Sequence, residues 1–172
     1  MIVPLPTAGC RLDAWPDPTL AASWVLARPF RAHVRHLMDA TGVPWRVLAI
    51  AAGIPSGVVE SILHRHRARI RRCDAATLMG WTVARVCLLS ISPTDGEPTR
   101  RRVQALLAAG HAPRLVADWL QVEPTQLAAL ADGQLDVVSE LTALRAEAAC
   151  EAHALAWRRN ADEDADVWLA AA

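Results

Sequence analysis

The chain predicts an all-α fold: two small helix-turn-helix units joined by a linker, with a long helix toward the C-terminus. Three observations predict it. The first is the 20-residue run from Trp45 to His64, WRVLAIAAGIPSGVVESILH, in which Leu48, Ala52, Ile54, Val59 and Ile62 bury one side of two successive helices. Ala49 stands where those helices must touch, and Gly53 stands at the turn, where a positive φ is often needed. The second is that Ala117 and Gln121 occupy the same places 68 positions later, the mark of an internal duplication. The third is the run Ser92-Pro93-Thr94-Asp95-Gly96-Glu97-Pro98, whose composition is that of a linker between the two copies.

Taken in order, residues 1–16 hold Pro4, Pro6 and Pro16 and are expected to be irregular. Asp17-Pro18 offers a cap followed by a first-turn proline, so a short helix to about Ala27 is expected. Pro29 favours a fresh start, and Phe30, Val34, Leu37, Met38 and Thr41 trace one helical face closed by Gly42. The helix-turn-helix follows, and Asp74 is placed to cap a further short helix with Leu78 and Met79 inward. WTVARVCLLSIS has β-branched character, but no partner strand is evident, so a short helix running into the linker at 93–98 is expected. The first unit thus spans 17–92. Thr99 is the expected N-cap of TRRRVQALLAAG, and a second hairpin runs from Pro113 with Val116, Ala117, Leu120, Val122, Leu127 and Leu130 inward. One long Ala-rich helix is expected from about Asp136 to Arg159, which ends the second unit, 99–159; residues 160–172 form an acidic tail.

With 53% hydrophobic residues the chain has ample material for a core, yet no uninterrupted apolar run approaches the roughly 20 residues needed to span a bilayer. The N-terminal residues lack a secretory-type basic region, and the four cysteines (Cys10, Cys73, Cys87, Cys150) form no CxxC. A cytoplasmic protein with free thiols and no membrane contact is expected. All 18 basic residues are arginine, and the net charge of zero hides a division. Between Arg28 and Arg72 nine arginines face two acids, whereas from Arg114 onward four arginines face eleven. Such a distribution suits a basic phosphate-binding surface on one part of the molecule.

The chemistry-bearing residues follow from the helix-turn-helix. The second helix of such a motif enters the major groove, and here it offers Ser56, Gly57, Glu60, Ser61 and His64 toward base edges. Serine hydroxyls pair with several edges, and glutamate accepts from cytosine N4. Arg46, Arg65, Arg67, Arg69, Arg71 and Arg72 are the phosphate candidates, which position the protein without reading sequence. The corresponding helix of the second copy shows Glu123, Pro124, Thr125, Ala128, Ala129 and Asp132, poor company for phosphates, and is expected to pack or dimerise. Arg100, Arg101 and Arg102 lie on the helix before it. His33 with His36 and His64 with His66 do not assemble four ligands in register, so no metal or other cofactor is expected. No catalytic arrangement is legible and an enzyme is not expected.

RAHVRHLMDATGVPWRVLAIAAGIPSGVVESILH, the RIRR that follows and TRRRVQALLAAG with its second hairpin resemble the tandem helix-turn-helix proteins of high-GC actinobacteria and their phages, themselves distantly similar to λ-repressor-type domains. The resemblance covers about residues 28–133. It implies an all-α fold and sequence-specific DNA binding. Read with the charge division and the two helix faces, the chain is expected to be a double-stranded DNA-binding transcription regulator reading sequence through the first unit, with a homodimer or partner-protein contact through the second. The rival expectation is a protein–protein adaptor on the same scaffold, binding its partner through the acidic second half.

Overall fold

Two helices can cross closely only where a small residue lies between them, and Ala49 and Ala117 are those residues: each is at most 1% exposed. The computed structural model describes residues 23–154 and is mostly helical, in two units that divide between Ser92 and Pro93. The expected irregular segment 1–16, the start of the first short helix, Cys10, the end of the long helix beyond 154 and the acidic tail lie outside the described residues.

The N-terminal unit runs β1 (Trp24–Leu26), α1 (Arg28–Thr41), α2 (Trp45–Ala51), α3 (Ser56–Leu63), β2 (Arg69–Arg71), α4 (Arg72–Met79) and α5 (Val83–Leu88). The strands pair antiparallel, with Trp24 opposite Arg71, Val25 opposite Ile70 and Leu26 opposite Arg69. Val34, Leu37, Leu48, Ala49, Val59, Ile62, Ile70, Cys73 and Leu78 form its core. Two side chains on α1 tie down neighbouring helix ends. His33 Nε2 lies 3.1 Å from the carbonyl of Leu78 in the last turn of α4 and 3.0 Å from that of Trp81 just beyond it, and Arg31 Nε donates to Ile62 O at 2.6 Å at the end of α3. Thr82 caps α5 by accepting from Arg85 N.

The C-terminal unit repeats the plan: β3 (Pro93–Asp95), α6 (Glu97–Ala108), α7 (Pro113–Leu120), α8 (Pro124–Ala131), β4 (Val137–Ser139) and α9, residues 140–154. β3 pairs with β4 antiparallel, Pro93 opposite Ser139 and Asp95 opposite Val137. The core again matches position by position: Val103 and Leu106 stand 69 residues after Val34 and Leu37, and Ala117, Leu127, Leu130 and Leu141 stand 68 after Ala49, Val59, Ile62 and Cys73. One residue fewer separates Leu106 from Gly110 than separates Leu37 from Gly42, which accounts for the change of offset. The backbone bonds at the turn also repeat. Ile54 N donates to Ala49 O at 2.9 Å and Val122 N to Ala117 O at 3.1 Å.

Several expectations are corrected. Residues 93–98 are not a linker: 93–95 are β3, and α6 begins at Glu97, because the strand finds its partner more than forty residues away. Thr99 is not an N-cap; it lies inside α6, fully buried, and Gly96 holds the cap position. Residues 24–26 are strand rather than the end of a helix. The long final helix starts at 140, after β4, and not at Asp136. No helix among the described residues is long and apolar enough to cross a membrane.

Candidate nucleic-acid interface

The second helix of the N-terminal unit, α3, is held at both ends. At its start the chain turns through Gly53, whose φ of 65° lies in the left-handed region that only glycine enters without cost. At its end, α1 supplies donors to the last carbonyls: Arg31 to Ile62, and Arg35 Nη2 to Leu63 at 3.5 Å. The C-terminal unit uses the same clamp in a different residue, Gln104 Nε2 donating to Ala131 O at 2.9 Å. A helix so fixed presents an unvarying outer face, which recognition of base edges requires.

That face carries Gly57 and His64, both exposed, with Glu60 and Ser61 half-buried. Ser61 Oγ donates to Gly57 O at 2.6 Å. Its proton is therefore committed, and its free lone pairs suit a base-edge donor such as cytosine N4 or adenine N6. Ser56 does not belong to this set. At 6% exposure it is buried in the first turn of α3, on the side facing the core.

The phosphate candidates divide in the same way. Arg65, Arg67, Arg69, Arg71 and Arg72 are all exposed. Arg46 is half-buried, its guanidinium stacked 4.5 Å from the Trp45 ring centroid and its Nε buried with no hydrogen-bond partner. Arg67 N donates to Ser61 O at 3.2 Å, so the chain after α3 folds back along the helix before entering β2. Arg69 and Arg71 then alternate with the buried Ile70 and share one outward face of the strand.

Two of these arginines occupy positions that the backbone would fill otherwise. Arg65 has φ 63°, a left-handed conformation that costs an L-residue about 1–2 kcal/mol; 68 positions later the same turn holds Gly133, φ 74°. Arg71 is the N-cap of α4 and makes no side-chain cap bond, whereas its counterpart Ser139 accepts from Thr142 N at 3.1 Å. Replacing such a serine cap typically costs about 1 kcal/mol. The N-terminal unit thus forgoes stability twice to hold an arginine on this edge, a pattern found at sites under functional demand.

Electrostatics separates the units further. Residues 23–92 carry ten arginines and three carboxylates, and residues 93–154 five arginines and nine carboxylates. The ion pairs among the described residues all lie in the C-terminal unit: Glu97 with Arg100 and Arg101, and Glu147 with Arg102 at 2.7 Å. Arg100, Arg101 and Arg102 therefore spend their charge on neighbouring carboxylates, while Arg65, Arg69 and Arg72 have neither an ion pair nor a carboxylate acting on them among the described residues, and Arg67 and Arg71 have only the half-buried Asp74 nearby. In the N-terminal unit Asp74 is half-buried; burial pushes its carboxyl above the ordinary 3.8, against the Cys73 thiol and the nearby Arg71 and Arg67, which pull it down. No group of three or more metal-ligating side chains occurs among the described residues.

Residues that sequence reasoning missed are Trp24 and Leu26, which β1 sets directly opposite Arg71 and Arg69. Their signal was faint: a three-residue strand is too short to show alternation, and its partner lies 45 residues on. No family model, curated protein or solved structure matches the chain.

Proposed function

We infer that this chain is a sequence-specific double-stranded DNA-binding transcription regulator of the tandem helix-turn-helix kind, acting in the cytoplasm. Gly57, Glu60, Ser61 and His64 on α3 meet base edges, and Arg65, Arg67, Arg69, Arg71 and Arg72 meet phosphates. Arg46 adds a phosphate contact from its stacked position on Trp45. The observation that carries this reading is the comparison of the duplicated turns: Arg65 and Arg71 stand where the C-terminal unit has Gly133 and Ser139, at a cost in local stability and with no ion pair to offset it among the described residues.

The test is salt. With about five phosphates neutralised, log K for duplex falls against log salt with a slope of about −4 to −5. Neutralising Arg69, Arg71 and Arg72 together weakens all sequences alike and flattens the slope. An affinity insensitive to salt contradicts the reading.

A protein–protein adaptor is the second reading, and one observation favours it. Leu115 and Trp119, one turn apart on α7, are 42% and 37% exposed in the acidic C-terminal unit. Stable co-purification with one protein, without retention on duplex, supports the adaptor over the regulator.

A further inference from the structure

The β1–β2 ribbon of the N-terminal unit has two faces. Val25 and Ile70 point to the core, and Trp24, Leu26, Arg69 and Arg71 point outward in two directly opposed pairs, Trp24 with Arg71 and Leu26 with Arg69. Trp24 is 52% and Leu26 67% exposed. Arg71 does not stack on the Trp24 ring; the cation–π contacts among the described residues are Arg46 on Trp45 and Arg85 on Trp81. Two large apolar groups in water, each opposite an arginine that makes no ion pair among the described residues, are not a requirement of the fold. The β3–β4 ribbon has the same antiparallel register, the same inward pair (Thr94 and Val138), and on its outer face Pro93, Asp95, Val137 and Ser139. The second copy is thus a control within the molecule.

The charge names an anionic occupant, and the apolar pair names one with an apolar surface between its charges. A nucleic-acid groove has both: rows of phosphates with sugar and base faces between them. Position narrows it further. Arg69 follows His64, at the end of α3, by five residues, a span of at most about 18 Å. A duplex whose major groove holds α3 therefore brings its neighbouring minor groove within reach of the ribbon. Minor grooves attract arginine, and apolar side chains inserted there part base steps and kink the duplex. Resting on the reading of α3 as the base-reading helix, we propose that the β1–β2 ribbon is a second DNA contact: Leu26 and Trp24 wedge into the minor groove beside the segment read by α3, Arg69 and Arg71 hold the phosphates on either side, and the duplex bends there.

The experiment uses the full chain and an end-labelled duplex chosen for binding the wild type, with affinity read by titration against salt and bending by energy transfer between the ends. The wild type bends the duplex. Trp24→Ala with Leu26→Ala weakens binding about tenfold and abolishes the bend, with the salt slope unchanged because no phosphate contact is lost. Arg69→Val with Arg71→Ser installs the side chains of the second copy and lowers the slope by about two. Leu26→Ala alone, at a side chain two-thirds in solvent, keeps the fold and shows the same loss of bend in part. A wild type that binds with the steep salt slope but leaves the duplex straight, or a Trp24/Leu26 variant that binds and bends as the wild type does, overturns the ribbon contact while leaving the α3 reading standing. A wild type with no salt-dependent duplex binding overturns both.

Discussion

The two units of this chain are built on one plan and diverge on one surface. Buried positions correspond at Val34, Leu37, Leu48, Ala49, Ala52, Val59, Ile62 and Cys73, and in both units a left-handed residue stands four places after the alanine at the helix crossing. Outer positions do not. Where the N-terminal unit has Arg65, Arg69 and Arg71, the C-terminal unit has Gly133, Val137 and Ser139, and its remaining arginines on α6 are paired with Glu97 and Glu147. The difference separates what the fold needs from what it carries. A small residue at the crossing, a tolerated positive φ at the turn and a clamp on the last carbonyls of the second helix are common to both; the basic edge is not.

The comparison breaks most readily at the crossing. Ala49→Leu and Ala117→Leu each overpack a contact that has no spare room, and each is expected to destabilise its own unit by about 1–3 kcal/mol in denaturant unfolding. A near-neutral result at one of them means that only the other unit is packed as described.

The turns sharpen it. Each unit has three left-handed positions and fills two with glycine: Gly42, Gly53 and Arg65 in the first, Gly110, Gln121 and Gly133 in the second. Gly53→Val is expected to destabilise, and Gln121→Gly and Arg65→Gly to stabilise by about 0.5–1 kcal/mol, the relief of strain outweighing the added freedom of the unfolded chain. Arg65→Gly also weakens duplex binding, whereas Gln121→Gly leaves it unchanged. A gain in stability at Arg65 without loss of binding removes that side chain from the interface.

The smallest effect concerns Asp74, which has Thr142 as its counterpart. Its carboxyl titrates above the ordinary value in the folded chain, chiefly because it is partly buried. The folded state then holds its proton more tightly than the unfolded state, so its contribution to stability is present at low pH and is lost as pH rises through the folded value. Thermal unfolding against pH is expected to show stability falling as pH rises above 3.8, and Asp74→Asn to flatten that fall. An unchanged profile means that the Cys73 thiol and the neighbouring arginines fully offset the burial.

The helix-turn-helix was legible because its constraints are local and sharp: an alanine at the crossing, a turn four residues on, apolar spacing on either side, all repeated after 68 positions. The clamp from α1 was not legible, since Arg31 and Arg35 read as ordinary surface charges until α3 is packed against them. The strands were missed for a related reason. Three residues cannot display a period of two, and Pro93-Thr94-Asp95-Gly96 has the composition of a turn although Thr94 pairs with Val138. The 68-residue repeat held the missing signal, because it sets RIR at 69–71 over VVS at 137–139, and the β-branched copy suggests strand where the basic one does not. Of the residues read as a recognition face, Gly57 and the C-cap His64 are exposed and Glu60 and Ser61 half-buried, whereas Ser56, in the first turn, is buried.

The central claim is that the first copy reads DNA and the second shares its fold without its function. Selection of bound sequences from random duplex tests it directly, using the wild-type chain, a Glu60→Ala/His64→Ala variant and a Thr125→Ala/Asp132→Ala variant. The expected result is a defined preferred sequence for the wild type, a changed preference for the first variant at about 1–3 kcal/mol per lost base contact, and the wild-type preference for the second. A preference that moves with Thr125 and Asp132 and not with Glu60 and His64, or no preferred duplex in any of the three, contradicts it.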